Sequence, residues 1–471
     1  QEAAALSALD ALASARLLRA GDALAFEHPT IRATVYDELG PGERSRLHHA
    51  AARLLTEEGA ELDAVAAQLL ASEPLGSTEV VELLRQAAAL ALRRGAPEDA
   101  IAYLSRALAE GAERGLRAVV AFELGMASKL AGKPSTLRHF REAVRLAHDP
   151  VLRGRAALQL ASTLSLMGSW EEAFAVVGDA LSGVGGRDEE LTSRLECLRA
   201  GLAASDPRLV AEFDRRSPAL EELASRPGAA ARSLALLLGA VWAWRGADPR
   251  AITTQVERGF GDGRPLSAGV EAWALGQGLG ALMVSEQEQR AHELAGTLLT
   301  EARELGSVSG FILGTAYRGF VSARRGELGG AEESLRAALG PAREARVSFV
   351  LFFSLWFALD VIVERPEAGD LASFVERLDL GPLAVLHSGA MLLDVRGRLR
   401  HAAGRRDGGI EDMRRAGETF SALGMCNPNA STWRSALALM VASENPAEAR
   451  RLAHQELEDA RRVGHARAIG V

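Results

Sequence analysis

Lysine is nearly missing from this chain: Lys129 and Lys133 are the only two, and arginine carries the rest of the positive charge. That skew reads as coding bias and has no mechanistic content. Basic residues are also outnumbered, 54 against 62 acidic ones, for a formal net charge of -8. A sequence-independent grip on a phosphate backbone needs the opposite sign, so direct nucleic-acid binding by this segment is not expected. Cysteine is scarce. Cys197 and Cys426 are too few and too far apart for a disulfide framework or a metal site, which fits a reducing cytoplasm. Aromatic residues make up only 5%. The longest apolar run, Phe349–Val363, falls short of the ~18–20 residues of a membrane span. It also contains Asp360, so it reads as a buried core helix. No basic-then-apolar leader follows Gln1, so no signal peptide is recognised and a cytoplasmic location is expected. The missing initiator methionine and the abrupt end at Val471 suggest a piece of a longer polypeptide.

Signatures of catalysis are missing too. Gly132-Lys133-Pro134-Ser135-Thr136 has the glycine and lysine of a phosphate-binding loop, but Pro134 takes the Ser/Thr position and Ala127 the first glycine position. Gly276-Gln277-Gly278-Leu279-Gly280-Ala281 fits the loose dinucleotide pattern, yet no flanking segment supplies the parallel strands it needs. His292-Glu293 lacks the second histidine of a zinc-protease helix, and His48-His49 point to different helix faces. There is no Gly-x-Ser-x-Gly elbow, and Asn429-Ala430-Ser431 matches a glycosylation acceptor only formally. The expectation is a non-enzyme with no catalytic, metal or cofactor-binding residues.

What is there is a repeat. Gly95, Ala100, Leu104 and Ala107 stand at offsets of zero, five, nine and twelve. The same offsets hold Gly168, Ala173, Val177 and Ala180; Gly326, Ala331, Leu335 and Ala338; and Gly404, Gly409, Met413 and Ala416. Glycine suits a tight turn between antiparallel helices, where a Cβ is penalised at positive φ. The small residue at plus five lets the second helix approach the first, and the next two positions continue a buried stripe. Seven residues before each turn stands another small residue: Ala88, Ala161, Gly319 and Gly397. Weaker copies centre on Gly132, Gly246, Glu286 and Glu444, with degenerate turns near Asp206 and Arg365. The resulting period of 36–40 residues exceeds the ~34 of a standard tetratricopeptide unit. The predicted fold is all-α: a tetratricopeptide-like right-handed superhelix of about ten helical hairpins over residues 76–471.

Residues 1–75 differ. A helix over Ala3–Ala13 precedes Arg16–His28, two short apolar runs either side of Gly21-Asp22, read as a small β-hairpin with a two-residue turn. Helices over Thr30–Leu39, Gly42–Glu58 and Leu62–Ala71 complete a partial winged-helix-like adaptor. Phe26–Leu55 and Ala64–Ser72 resemble a junction in large ATP-dependent LuxR-type transcriptional regulators, signal-transduction ATPases related to the bacterial maltose regulator. The resemblance is carried by His28-Pro29, Tyr36, Glu43-Arg44, His48 and Ala51–Leu55, with Gln68 standing where histidine is expected. It implies an upstream ATPase that takes the ATP, a downstream helix-turn-helix, and a sensor role for this segment; self-association of the parent is possible.

If the first helix of each hairpin lines a concave face, the inward candidates are Trp244, Trp273, Phe320, Arg324, Phe352, Asp394, Arg398 and His401. Aromatic faces beside charged groups suit a small-molecule effector or a protein or peptide in the superhelical groove. Ordinary packing is the simpler account of the aromatics. Asp394, Arg398 and His401, at i, i+4 and i+7, also suit a structural salt bridge. The alternative to a sensor is a stand-alone tetratricopeptide interaction scaffold.

Overall fold

A computed structural model describes residues 2–19, 25–344 and 369–470. Among them the chain is helical apart from one two-stranded antiparallel sheet, and it divides into two compact units, Gln1–His148 and Asp149–Val471. The helices pack as successive antiparallel pairs, in the manner of tetratricopeptide repeats.

The first unit opens with α1 (Glu2–Ser14), β1 (Leu18–Arg19), β2 (Ala25–Phe26), α2 (Pro29–Glu38), α3 (Pro41–Glu57) and α4 (Leu62–Leu70). The strand pairing is Leu18 with Phe26 and Arg19 with Ala25, one residue out of the register that a two-residue turn at Gly21-Asp22 imposes. That turn itself lies outside the described residues. Two hairpins follow, α5 (Thr78–Arg93) with α6 (Pro97–Ala109) and α7 (Arg114–Leu130) with α8 (Thr136–Leu146). Ala52 of α3 and Val65, Ala66 and Leu69 of α4 share one apolar core with α5, α6 and α7, so this unit reaches well past residue 75.

The second unit contains α9 (Pro150–Leu166), α10 (Trp170–Val184), α11 (Glu189–Ser205), α12 (Val210–Ala224), α13 (Ala229–Trp244), α14 (Pro249–Phe260), α15 (Ala272–Val284), α16 (Glu288–Leu305), α17 (Val308–Arg324) and α18 (Leu328–Glu344). After the undescribed stretch come α19 (Gly369–Glu376), a 3-10 turn at Gly381–Val385, α20 (His387–Ala402), α21 (Arg406–Ala422), α22 (Trp433–Val441), α23 (Pro446–Val463) and α24 (Ala466–Gly470). Phe349–Val363 and the turn near Arg365 lie outside the described residues; the other predicted turns fall between the two helices of a pair.

The repeat signature works as its chemistry requires. Gly95, Gly132, Gly168, Gly246, Gly326 and Gly404 all have positive φ, and Glu286 takes the same conformation at φ 57° without being glycine. The small positions mark the closest helix approaches. A Cβ on Gly319 would lie 2.7 Å from the Ser334 Cβ, and one on Gly397 would lie 2.9 Å from the Gly409 carbonyl oxygen. The glycine-rich Gly276–Gly280 run is helical, inside α15. A Cβ on Gly278 would meet Leu236 at 2.4 Å, and the Tyr317 hydroxyl donates to the Gly276 carbonyl.

A second device, invisible in the spacing, closes three hairpins at their open ends. A buried glutamate on the second helix, or just past its end, accepts backbone N–H groups at the start of the first or in the loop that leads into it. Glu110 takes Leu75, Gly76 and Ser77; Glu301 takes Leu266 and Ser267; Glu456 takes Arg434 and Ser435. N–H groups in a helix's first turn, as at Arg434 and Ser435, and in the loop ahead of a helix have no intrahelical partners, and a carboxylate is the strongest acceptor for them. Burial raises the Glu456 carboxyl against the lowering effect of those bonds.

Candidate binding surface

Each first helix ends at a repeat turn, so its last carbonyls lack intrahelical donors. At α13 and α15 these carbonyls are satisfied by a segment remote in sequence, residues 425–432, which connects α21 to α22. The Cys426 and Asn427 N–H groups both donate to the Trp244 carbonyl, at 3.1 and 3.0 Å. The Asn427 side-chain amide donates to the Ala243 carbonyl at 2.9 Å, and the Cys426 thiol donates to that of Arg245. The Asn429 amide nitrogen lies 3.2 Å from the Val284 carbonyl, 3.1 Å from Glu286 Oε1 and 3.1 Å from His465 Nδ1.

The local sequence explains the shape of this strap. Ala430 N–H donates to the Asn427 carbonyl across Pro428-Asn429, a β-turn with proline at its favoured second position. Asn427 Oδ1 accepts from Asn429 N–H and fixes the turn from the side-chain side. Met425 and Ala430, 5% and 4% exposed, anchor the strap in the core shared by the hairpins around it.

Five of the eight inward candidates meet the strap or its surroundings. Trp244 is buried; its carbonyl takes the two strap N–H groups and its ring lies 4.0 Å from that of His387. Burial pushes the His387 imidazole down to about 3. Arg324 stacks on buried Phe320, its carbon 4.9 Å from the ring centroid, and donates to the Asn429 carbonyl. Asp394, 2% exposed, accepts from the Ser431 hydroxyl at 2.7 Å and from Arg398 Nε at 2.7 Å. Arg398 reaches on to the Thr432 hydroxyl at 3.1 Å. Trp273 is half-buried against α11, where a Cβ on Gly201 would sit 3.4 Å from its ring. His401 extends the Asp394–Arg398 face, but its Nδ1 is buried without a hydrogen-bond partner. Phe352 lies outside the described residues.

Sequence reading missed Asn427, Asn429 and the second role of Glu286. The Glu286 carboxylate caps α24 by accepting from the Ala466 and Arg467 N–H groups while it also meets Asn429. Burial works to raise its carboxyl, but the Asn429 amide and the two backbone donors outweigh that and hold it below the ordinary range. The one available signal was a non-glycine residue at a turn position that glycine normally fills.

The residues of the LuxR-type resemblance also come together. His28 caps α2 by accepting from Thr30 N–H, with Pro29 in the first turn. The Tyr36 hydroxyl is 2.8 Å from His48 Nε2, and His48 Nδ1 is 2.7 Å from Gln68 Oε1, so one hydrogen-bonded chain ties α2, α3 and α4. Gln68 does there what a histidine could equally do. Lys133, from the loop-like Gly132 sequence, pairs with Glu98 at 2.7 Å.

Among the described residues no group of three or more His, Cys, Asp or Glu could hold a metal ion, and no helix is long and apolar enough to cross a membrane. No protein-family model matches the chain, and no curated protein matches it. Among solved structures it is similar to the tetratricopeptide domain of P58(IPK), with 14% identity and TM-score 0.21, over 80% of this chain and 98% of that one. It is also similar to yeast Tom70, with 13% identity and TM-score 0.23, over 82% and 90%. The tetratricopeptide-like architecture is carried by the helix pairing and turn geometry of the chain itself.

Proposed function

We propose that this chain is a non-catalytic interaction scaffold that takes a segment of a partner protein on the first-helix ends of α13, α15 and α17 and on α20. One observation carries this reading: Arg324, Asp394, Arg398 and the last carbonyls of α13 and α15 jointly hold a non-helical stretch of polypeptide. Such a surface already recognises main-chain N–H groups, carboxamides and hydroxyls, the groups that any protein segment offers. A selection of displayed random peptides on the purified chain tests it. Enriched peptides should lose binding to the Asp394→Ala variant. If no peptide is enriched while a polar small molecule raises the melting temperature, an effector-binding role replaces this one.

A second reading is favoured by the Tyr36–His48–Gln68 chain, which links the residues that resemble the LuxR-type junction. On that reading the chain is the sensor segment of a cytoplasmic ATP-dependent transcriptional regulator whose ATPase and DNA-binding modules lie elsewhere in the parent. Binding here would bias an equilibrium between resting and active states, which requires different affinities for the two. Sequencing the parent gene is the test. A phosphate-binding loop upstream and a helix-turn-helix downstream are expected, and finding neither would sink the idea.

A further inference from the structure

We propose that the outer face of α3 is a docking surface for an amphipathic helix of a partner protein, one that sets an acidic row beside an apolar row. The surface belongs to the unit Gln1–His148, so the proposal goes beyond the scaffold reading and does not depend on it.

The exposed positions of α3 form one stripe. Arg46, Leu47, Ala50, Arg53 and Leu54 are exposed at helical spacing, with exposed Glu43 and Glu57 at the two ends. Within it Leu47 and Leu54, each 52% exposed, make an apolar row, and Arg46 and Arg53 make a basic row beside it. A face meant for water reads differently: α23 turns Arg450, Arg451, His454, Glu458 and Arg461 to solvent. Leucines repeated at heptad spacing on an open face are the pattern by which one helix receives another.

The apolar side continues onto α2. That helix is 10 residues long and buries none of them, and helices so short are marginal in water unless they pack against something. Its Val35 and Tyr36 are exposed, and Tyr36 lies against Arg44 and His48, on the leucine side of the stripe.

Charge identifies the occupant. Arg46 has no ion pair among the described residues, and Arg53 reaches Glu57 only at 3.7 Å, with both side chains well exposed. Carboxylates over the two arginines would form both pairs as the leucines are covered, and they would also fix the register. A second copy of this chain fits badly. Antiparallel pairing about Ala50 sets Arg46 against Arg53 of the other copy and Glu43 against Glu57, while parallel pairing sets each glutamate against itself. An anionic membrane fits badly as well, because Glu43 and Glu57 bound the same stripe.

The test uses the full chain and a fluorescent, alanine-rich helical peptide of about sixteen residues. It carries two leucines at the spacing of Leu47 and Leu54, with glutamates on either side of the leucine row. A twin peptide has arginine in place of glutamate. The glutamate peptide should bind wild type at least about tenfold more tightly than its twin, and the gap should shrink in high salt. Arg46→Glu/Arg53→Glu should reverse the preference. Leu47→Ser/Leu54→Ser should lose the peptide yet melt close to wild type, since side chains already exposed add little to the fold.

No binding of either peptide, equal binding of both, or binding that survives the leucine substitutions would overturn the proposal. So would a dimer that the leucine substitutions dissolve, or anionic lipid vesicles that sediment the chain through the same leucines. The scaffold reading stands or falls separately, because its own test reads Asp394→Ala in the other unit.

Discussion

The repeat turn at Gly95 and the repeat turn at Gly246 have the same local design and opposite surroundings. Both are glycines at positive φ closing a helix pair, 74° and 73°. Around Gly95 a Cβ would meet nothing within 4 Å, whereas at Gly246 it would lie 2.5 Å from Val463 Cγ2. Gly132 resembles the first; Gly168, under Leu383 and Pro382, resembles the second. In the unit Gln1–His148 a Cβ at either turn glycine would meet nothing within 4 Å. In Asp149–Val471 several of them are also seats for segments that arrive from far along the sequence. A local motif therefore fixes the shape of the turn but not what rests on it.

The largest expected effect tests that contrast directly. Gly246→Ala adds the strain of a left-handed residue and an overlap with a β-branched side chain, together about 2–5 kcal/mol. Gly95→Ala adds only the strain, about 1–2 kcal/mol. Thermal unfolding of the two variants should show the larger loss at Gly246. Equal losses would mean that Val463 moves aside freely and that the turn is no seat at all.

That pairing also shows how much could be read from residues alone. The turns, the close approaches at Gly319 and Gly397, and the helical character of α2 to α4 follow from short-range rules: positive φ, small side chains at a crossing, proline in a first turn. The glutamate contacts could not be seen, because Glu110 and Glu301 look like ordinary members of an Ala/Glu/Arg helix until their carboxylates meet the loop ahead of a neighbouring helix. The strap was hidden for a stronger reason. Asn427 meets Ala243 across 184 positions of sequence, and no periodicity reports such a contact. Trp244, Phe320, Arg324, Asp394 and Arg398 of the inward set lie at or beside the strap, a contact that helical spacing does not report. Asn429 had been noticed only for a surface motif that its burial makes idle.

Glu286 sharpens the comparison, since among the described repeat turns it is the one where a non-glycine residue takes a positive φ. Its carboxyl is held below the ordinary range, so its contribution is complete above the ordinary glutamate range and is lost as pH falls through the lowered value. Glu286→Gln removes the charge and should cost about 1–2 kcal/mol at neutral pH, the usual worth of charge-assisted hydrogen bonds after partial replacement. The gap in melting temperature between wild type and variant should narrow once the pH drops below the usual carboxylate range. A gap independent of pH would show that the α24 cap and the Asn429 contact do not depend on the ionised form.

The smallest effect belongs to the junction of α2, α3 and α4 in the first unit, where the contacts of Tyr36 are polar and near the surface. Tyr36→Phe removes the hydroxyl from His48 but keeps the ring under the Arg44 guanidinium, whose carbon lies 5.2 Å from the ring centroid. Tyr36 is 40% exposed, so water can replace the lost bond, and the cost should stay near ~0.5–1 kcal/mol. His48→Ala should cost more than Tyr36→Phe, because it breaks the chain at its centre and leaves both Tyr36 and Gln68 without their protein partner. Denaturant unfolding of both variants decides the matter. If Tyr36→Phe proves as damaging as Gly246→Ala, the junction of α2, α3 and α4 is no loosely held surface contact, and the two units manage their remote contacts in the same way.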